Sequence, residues 1–113
     1  MILIFDACKH NYKPLWVNAL EVACFTILEV YSEIDVIETV KKEDISCVLI
    51  RRRDRKGELS AGELTNIIKR SKSVPVIGLG LWQDAFPEAD AFHCVVSSPN
   101  ELVGKVAKFI CKG

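Results

Sequence analysis

The chain lacks any apolar run long enough to cross a membrane. Its N-terminal run, Ile2 to Phe5, is also far too short for a signal peptide. The five cysteines, Cys8, Cys24, Cys47, Cys94 and Cys111, are odd in number, and no two form a C-x-x-C pair. That pattern argues against a disulfide framework or a zinc site and for a reducing, cytoplasmic setting. Cys24, Cys47 and Cys94 lie inside apolar segments and read as small core residues. Neither sign of charge is in excess, because 15 basic and 15 acidic residues cancel. No global field therefore draws the chain toward nucleic acid or an anionic membrane. Repeats, low-complexity tracts and internal linkers are absent too. A length of 113 residues suits one compact domain spanning residues 1–113 and leaves no room for two.

What is present alternates between two periodicities. Ile2-Leu3-Ile4-Phe5 is a continuous apolar run of the kind found in a strand buried on both faces. Pro14 opens a helical stretch, where a proline at the first position loses no needed hydrogen bond. A second strand is expected over Thr26 to Tyr31, then a short helix with Val36, Ile37 and Val40 on one face. Cys47 to Ile50 reads as the third strand. Ser60 and Glu63 form a capping box with Leu59 and Leu64 placed to staple it, the best-marked helix start in the chain. Val74 to Leu79 is the fourth strand and Phe92 to Val96 the fifth. Ser98-Pro99-Asn100-Glu101 repeats the capping logic before a last helix that buries Leu102, Val106 and Phe109 or Ile110.

Strands alternating with helices imply right-handed crossovers and a parallel sheet covered on both sides. Five strands fit a flavodoxin-like doubly wound α/β order, 2-1-3-4-5, with the working site at the carboxyl ends near the switch between the first and third strands. Asp6 and Arg51 belong there, with Gly80 and Ser98 beside them. Only Leu81 to Ala91 separates strands four and five, and Pro87 interrupts it. The fourth crossover helix is therefore expected to be short, distorted or absent.

This pattern resembles the receiver domain of two-component response regulators over nearly the whole chain. The likeness rests on element order, spacing and a few marker residues. The family carries acids after its first strand, where this chain has Asp6 and then Ala7. Its phosphoacceptor aspartate ends strand three, where Arg51 stands. A threonine or serine ends strand four, here Gly80. A lysine precedes the proline after strand five, here Ser98 before Pro99, and the aromatic switch residue is replaced by Val95. Aspartyl phosphorylation needs a nucleophilic carboxylate, a magnesium ion held by carboxylates and water, and donors for the transferred phosphoryl oxygens. A guanidinium has no acceptor atom, and beside Asp6 it repels a metal. The resemblance thus implies a pseudo-receiver with no metal, no cofactor and no catalytic residue. Asp6, Ala7, Arg51, Gly80 and Ser98 mark its altered phosphorylation pocket.

Several features carry two readings. Arg51 either points to solvent or pairs with Asp6 across the vacated pocket, the geometry that a planar guanidinium favours. The run Arg51-Arg52-Arg53-Asp54-Arg55-Lys56 is either a solvated loop or an anion contact, and Asp54 lies beyond the strand end. Cys8 with His10 either forms an inert surface pair or an activated thiol. His93, on strand five, reads as structural. The first helix, Leu15 to Phe25, is apolar almost all round. It is either deep in the core or an exposed docking face, with Trp16 and Val17 the residues expected to be exposed in a monomer. Trp82 and Phe86 either fill the gap of the missing helix or anchor an interface along with Val95.

The expected function is phosphorylation-independent protein–protein interaction or homodimerisation in signalling or transcriptional regulation, with no direct nucleic-acid or membrane contact. The competing class is a small enzyme of thiol or phosphoryl transfer that uses Cys8. The sequence leaves open the partner and any output domain after residue 113.

Overall fold

The computed structural model describes residues 1–6, 14–51 and 59–110. Strand β1 (Ile2–Asp6) is buried along its whole length. It pairs in parallel with β2 (Ile27–Val30) on one side and β3 (Cys47–Arg51) on the other. Strands β4 (Val76–Gly80) and β5 (Ala91–Cys94) complete an all-parallel sheet of order β2-β1-β3-β4-β5. The flavodoxin-like order expected from the alternation is the one found. Helices α1 (Leu15–Val22), α2 (Glu33–Lys42), α3 (Ala61–Ser71) and α4 (Pro99–Ile110) connect or flank the strands.

Side-chain alternation splits β1 between two apolar layers. Ile2 and Ile4 join Cys47, Leu49, Ile77 and Leu79 under α1 and α4, where Leu20, Leu102 and Val106 close the layer. Leu3 and Phe5 join Val48, Ile50 and Val76 on the opposite face, under Val36 and Val40 of α2 and Leu64 and Ile68 of α3. The helix starts follow the local chemistry. The Ser60 hydroxyl accepts the Glu63 N–H at 3.1 Å, and the Ser32 hydroxyl accepts the Asp35 N–H at 3.2 Å.

Helix α1 corrects one expectation. Trp16 and Val17, expected to be exposed, are buried at 5% and 1%. Together with Leu20 they form the stripe that faces the sheet and α4, whereas Leu15 and Val22 take the outer positions at 76% exposure each. An all-round apolar helix still has a single inner stripe, and the sheet selects which residues fill it. Its end is a Schellman motif, with Phe25 N–H bonded to the Leu20 carbonyl and Cys24 N–H to that of Glu21. Cys24 sits at the left-handed position of that motif, φ 69°, and is exposed rather than in the core. Cys94 is half-buried, and of the three cysteines read as core only Cys47 is fully enclosed. Burial, with a smaller push from Asp90, raises the Cys47 thiol to about 12.

The fourth crossover has no α-helix. A single 3₁₀ turn, Gln83–Ala85, takes its place. Phe86 follows it and covers the sheet there, 5% exposed, with its ring 5.9 Å from that of Phe92. It lies directly over Gly78, where a Cβ would collide with the ring, and close to Gly80, where a Cβ would stand 3.1 Å from Phe86 Cε2. Phe86 therefore fills the gap of the missing helix and is not an exposed anchor. Asp90 then returns the chain to the sheet. Its carboxylate accepts the Val76 N–H at 2.8 Å and meets Lys69 of α3 at 2.6 Å.

Candidate functional site at the carboxyl ends of the strands

Parallel register brings the carboxyl ends of β1 and β3 level, and Asp6 is the register partner of Arg51. The Arg51 Nη1 to Asp6 Oδ2 separation is 4.0 Å, the outer reach of an ion pair. Asp6 is 6% exposed, and the Arg51 side chain keeps 23% of its surface in solvent. The carboxylate is therefore buried while the cation beside it keeps partial access to solvent. Arg51 also lines a groove of about 500 Å³ with Pro14, Leu15 and Trp16 of the α1 start and Val95, Val96, Ser97, Ser98 and Pro99 leading into α4.

Of the candidate site residues singled out in the sequence, Trp16, Arg51, Val95 and Ser98 share this groove. Gly80 ends β4, as expected, but its close neighbours are Phe86 and Phe92. Ala7, Cys8, His10 and the run from Arg52 to Lys56 with Asp54 lie outside the described residues. Val95 falls just past β5, half-buried against the α1–α4 layer, and its N–H bonds the Gly80 carbonyl at 3.0 Å.

Among the described residues the donor set does not suit a hard cation. Magnesium takes oxygen ligands in an octahedron, several of them carboxylate or water. Among the described residues no three acidic, histidine or cysteine side chains converge, and the charge facing Asp6 is a guanidinium. Arg51 itself offers only donors, so it binds an oxyanion or a carboxylate but cannot accept a transferred group.

Beyond the groove, three large apolar side chains leave the same end of the sheet exposed: Leu81 at 53%, Trp82 at 75% and Val96 at 78%. Leu81 and Trp82 follow Gly80 directly, and Val96 follows the Val95 that bonds Gly80. Trp82 was legible as a candidate contact in the sequence. Leu81 and Val96 were not, because Leu81 reads as a single apolar residue opening the short crossover and Val96 as the end of the fifth strand. Among the described residues no helix is long and apolar enough to cross a membrane.

No family model and no curated protein sequence matches the chain. Solved structures do. A two-component response regulator from Clostridium difficile superposes with a TM-score of 0.79 at 16% identity, over 98% of this chain and 95% of that one. A CheY-like response regulator receiver domain protein from Methanospirillum hungatei JF-1 gives 0.77 at 16%, over 98% and 93%. The receiver domain of a sensor histidine kinase from Pseudomonas aeruginosa PAO1, whose structure has magnesium coordinated in its active-site cleft, gives 0.73 at 15%, over 98% and 97%. With sheet order, crossovers and these superpositions in agreement, the chain has the fold of a response-regulator receiver domain.

Proposed function

We propose that this receiver-like domain works without phosphorylation, as a protein–protein interaction or dimerisation module in signal transduction or transcriptional regulation. The observation that carries this reading is the Asp6–Arg51 pair. A permanent cation ends β3, where receivers carry the aspartate that accepts phosphate, and it lies 4.0 Å from the acid that remains. Two further features support it. Gly80 and Ser98 replace the hydroxyl and the lysine that would steady a phosphoryl group. The exposed edge made by Leu81, Trp82 and Val96 offers apolar area for a partner or a second copy. Val95 borders that edge, while Trp16, Val17 and Phe86 are too deeply buried to join it. The reading needs no cofactor and assigns no nucleic-acid contact to this domain.

The deciding experiment is incubation with a small-molecule phosphodonor and magnesium, followed by intact mass. The expected result is no gain of a phosphoryl group. A stoichiometric gain that disappears on replacing an acidic residue of the chain overturns the proposal. Titration with magnesium alone is expected to leave the amide spectrum around Asp6 unchanged in the native chain.

A further inference from the structure

His93 is 1% exposed, and among the described residues neither ring nitrogen has a protein hydrogen-bond partner. It sits in β5 opposite Leu79 of β4. Alternation places it between Ala91 and Val95 on the sheet face that α1 and α4 cover. A neutral imidazole carries one donor and one acceptor. Burying both without partners costs free energy that an aliphatic side chain at this position would not incur.

We propose that His93 is an acid-sensitive latch for α4: protonating its ring puts a cation into the apolar seam between β5 and α4, and α4 loosens from the sheet.

The surroundings give a new charge there little compensation. The charged groups of α4 that act on the ring are Lys105 and Glu101. Lys105 is itself a cation, held over the seam by donating to the Phe92 carbonyl at 2.7 Å. Glu101 is the opposing acid but lies exposed on the first turn of α4. From β4 the facing residue is Leu79, and α1 presents Trp16, Val17 and Leu20 to this layer, none of them charged. Within β5 the neighbours are Phe92 and Cys94. Burial first, and then Lys105, hold the ring below its ordinary range, with Glu101 opposing in part.

The sign follows from these directions. The packed state favours the neutral ring, and a loosened state restores its ordinary affinity for a proton. The seam is therefore at full strength above about pH 6.5 and weakens by about tenfold for each pH unit below that, until the packed ring itself protonates. The Val96 end of the interaction edge leads directly into α4, so acid would alter that edge whatever partner it meets.

Hydrogen exchange read helix by helix tests this on the whole chain, at about pH 7.5 and about pH 5.5, corrected for the intrinsic exchange rate. The expected result is that α4 loses protection relative to α2 at the lower pH, by up to about tenfold, the limit reached if the packed ring stays neutral there. His10 is the other histidine, and His10→Gln is expected to leave that loss intact, whereas His93→Leu removes it. Should the leucine variant not fold, His93→Gln, neutral at either pH, is expected to remove it as well. A second readout is Trp16 emission in a Trp82→Phe background, expected to shift to the red in acid only when His93 is present. The proposal is overturned if α4 and α2 lose protection equally, or if the His93 variants keep the same acid response.

Discussion

Replacing Gly78 with alanine puts a methyl group where Phe86 already sits. The added carbon would collide with Phe86 Cγ, and it would stand 2.6 Å from Cδ1 and 2.7 Å from Cβ of the same residue. The ring cannot easily retreat, because Phe92 flanks it at 5.9 Å and the site is 95% enclosed. Overpacking of this kind costs about 2 kcal/mol. An upper bound comes from Phe86 leaving its seat altogether, which is what Phe86→Ala measures. That change forfeits a buried aromatic and leaves a cavity, for about 3–4 kcal/mol. In the double variant the new methyl occupies part of the vacated space, so the two penalties do not add. The expected coupling is about 2 kcal/mol in the favourable direction. Urea unfolding of the four chains, followed by circular dichroism, measures all three quantities. Gly78→Ala alone should lower Tm by about 8 °C. A Gly78→Ala variant within about 0.5 kcal/mol of the native chain, or strict additivity in the cycle, refutes the seating of Phe86 on β4.

Other expectations are simpler to check. Cys24→Gly relieves the left-handed position at the end of α1 and should stabilise the fold by about 0.5–1 kcal/mol in the same assay. A thiol reagent at about pH 8 should modify Cys24 in the folded protein and spare Cys47, whose thiol burial has pushed up to about 12. Asp90→Ala leaves the Val76 N–H and the Lys69 ammonium without their acceptor and should cost about 1–2 kcal/mol. If dimerisation uses the apolar edge, Trp82→Ser should halve the solution mass without changing stability, because Trp82 is 75% exposed.

Much of the fold was legible because local and global signals agree. The capping box at Ser60 and Glu63 marked a helix start that the hydroxyl bond realises. The run Ile2 to Phe5 read as a strand buried on both faces, and each face of it feeds a separate apolar layer. Matching Asp6 to Arg51 needed only that parallel strands end level, and the register has them paired. What stayed hidden depended on tertiary complementarity. Nothing in Leu15-Trp16-Val17 distinguishes the inner stripe from the outer residue when all three are apolar. Gly78 in a strand gave no hint that a ring eight positions later in the chain would rest on it. Cys24 belongs to a residue type that seldom takes a positive φ, and its exposure follows from the Schellman turn rather than from its apolar neighbours.

The seating of Phe86 over Gly78 also bears on how freely this sequence can drift. A bulkier residue at Gly78 is excluded while the ring is in place, and one at Gly80 is crowded. The ring, in turn, is what closes the sheet where the crossover is too short to form a helix. A hydroxyl side chain at Gly80, a longer crossover and a smaller residue at Phe86 are each disfavoured when introduced singly. A sequence in this arrangement has to change these positions together, so the short crossover, Phe86 and the two glycines constrain one another as a single unit.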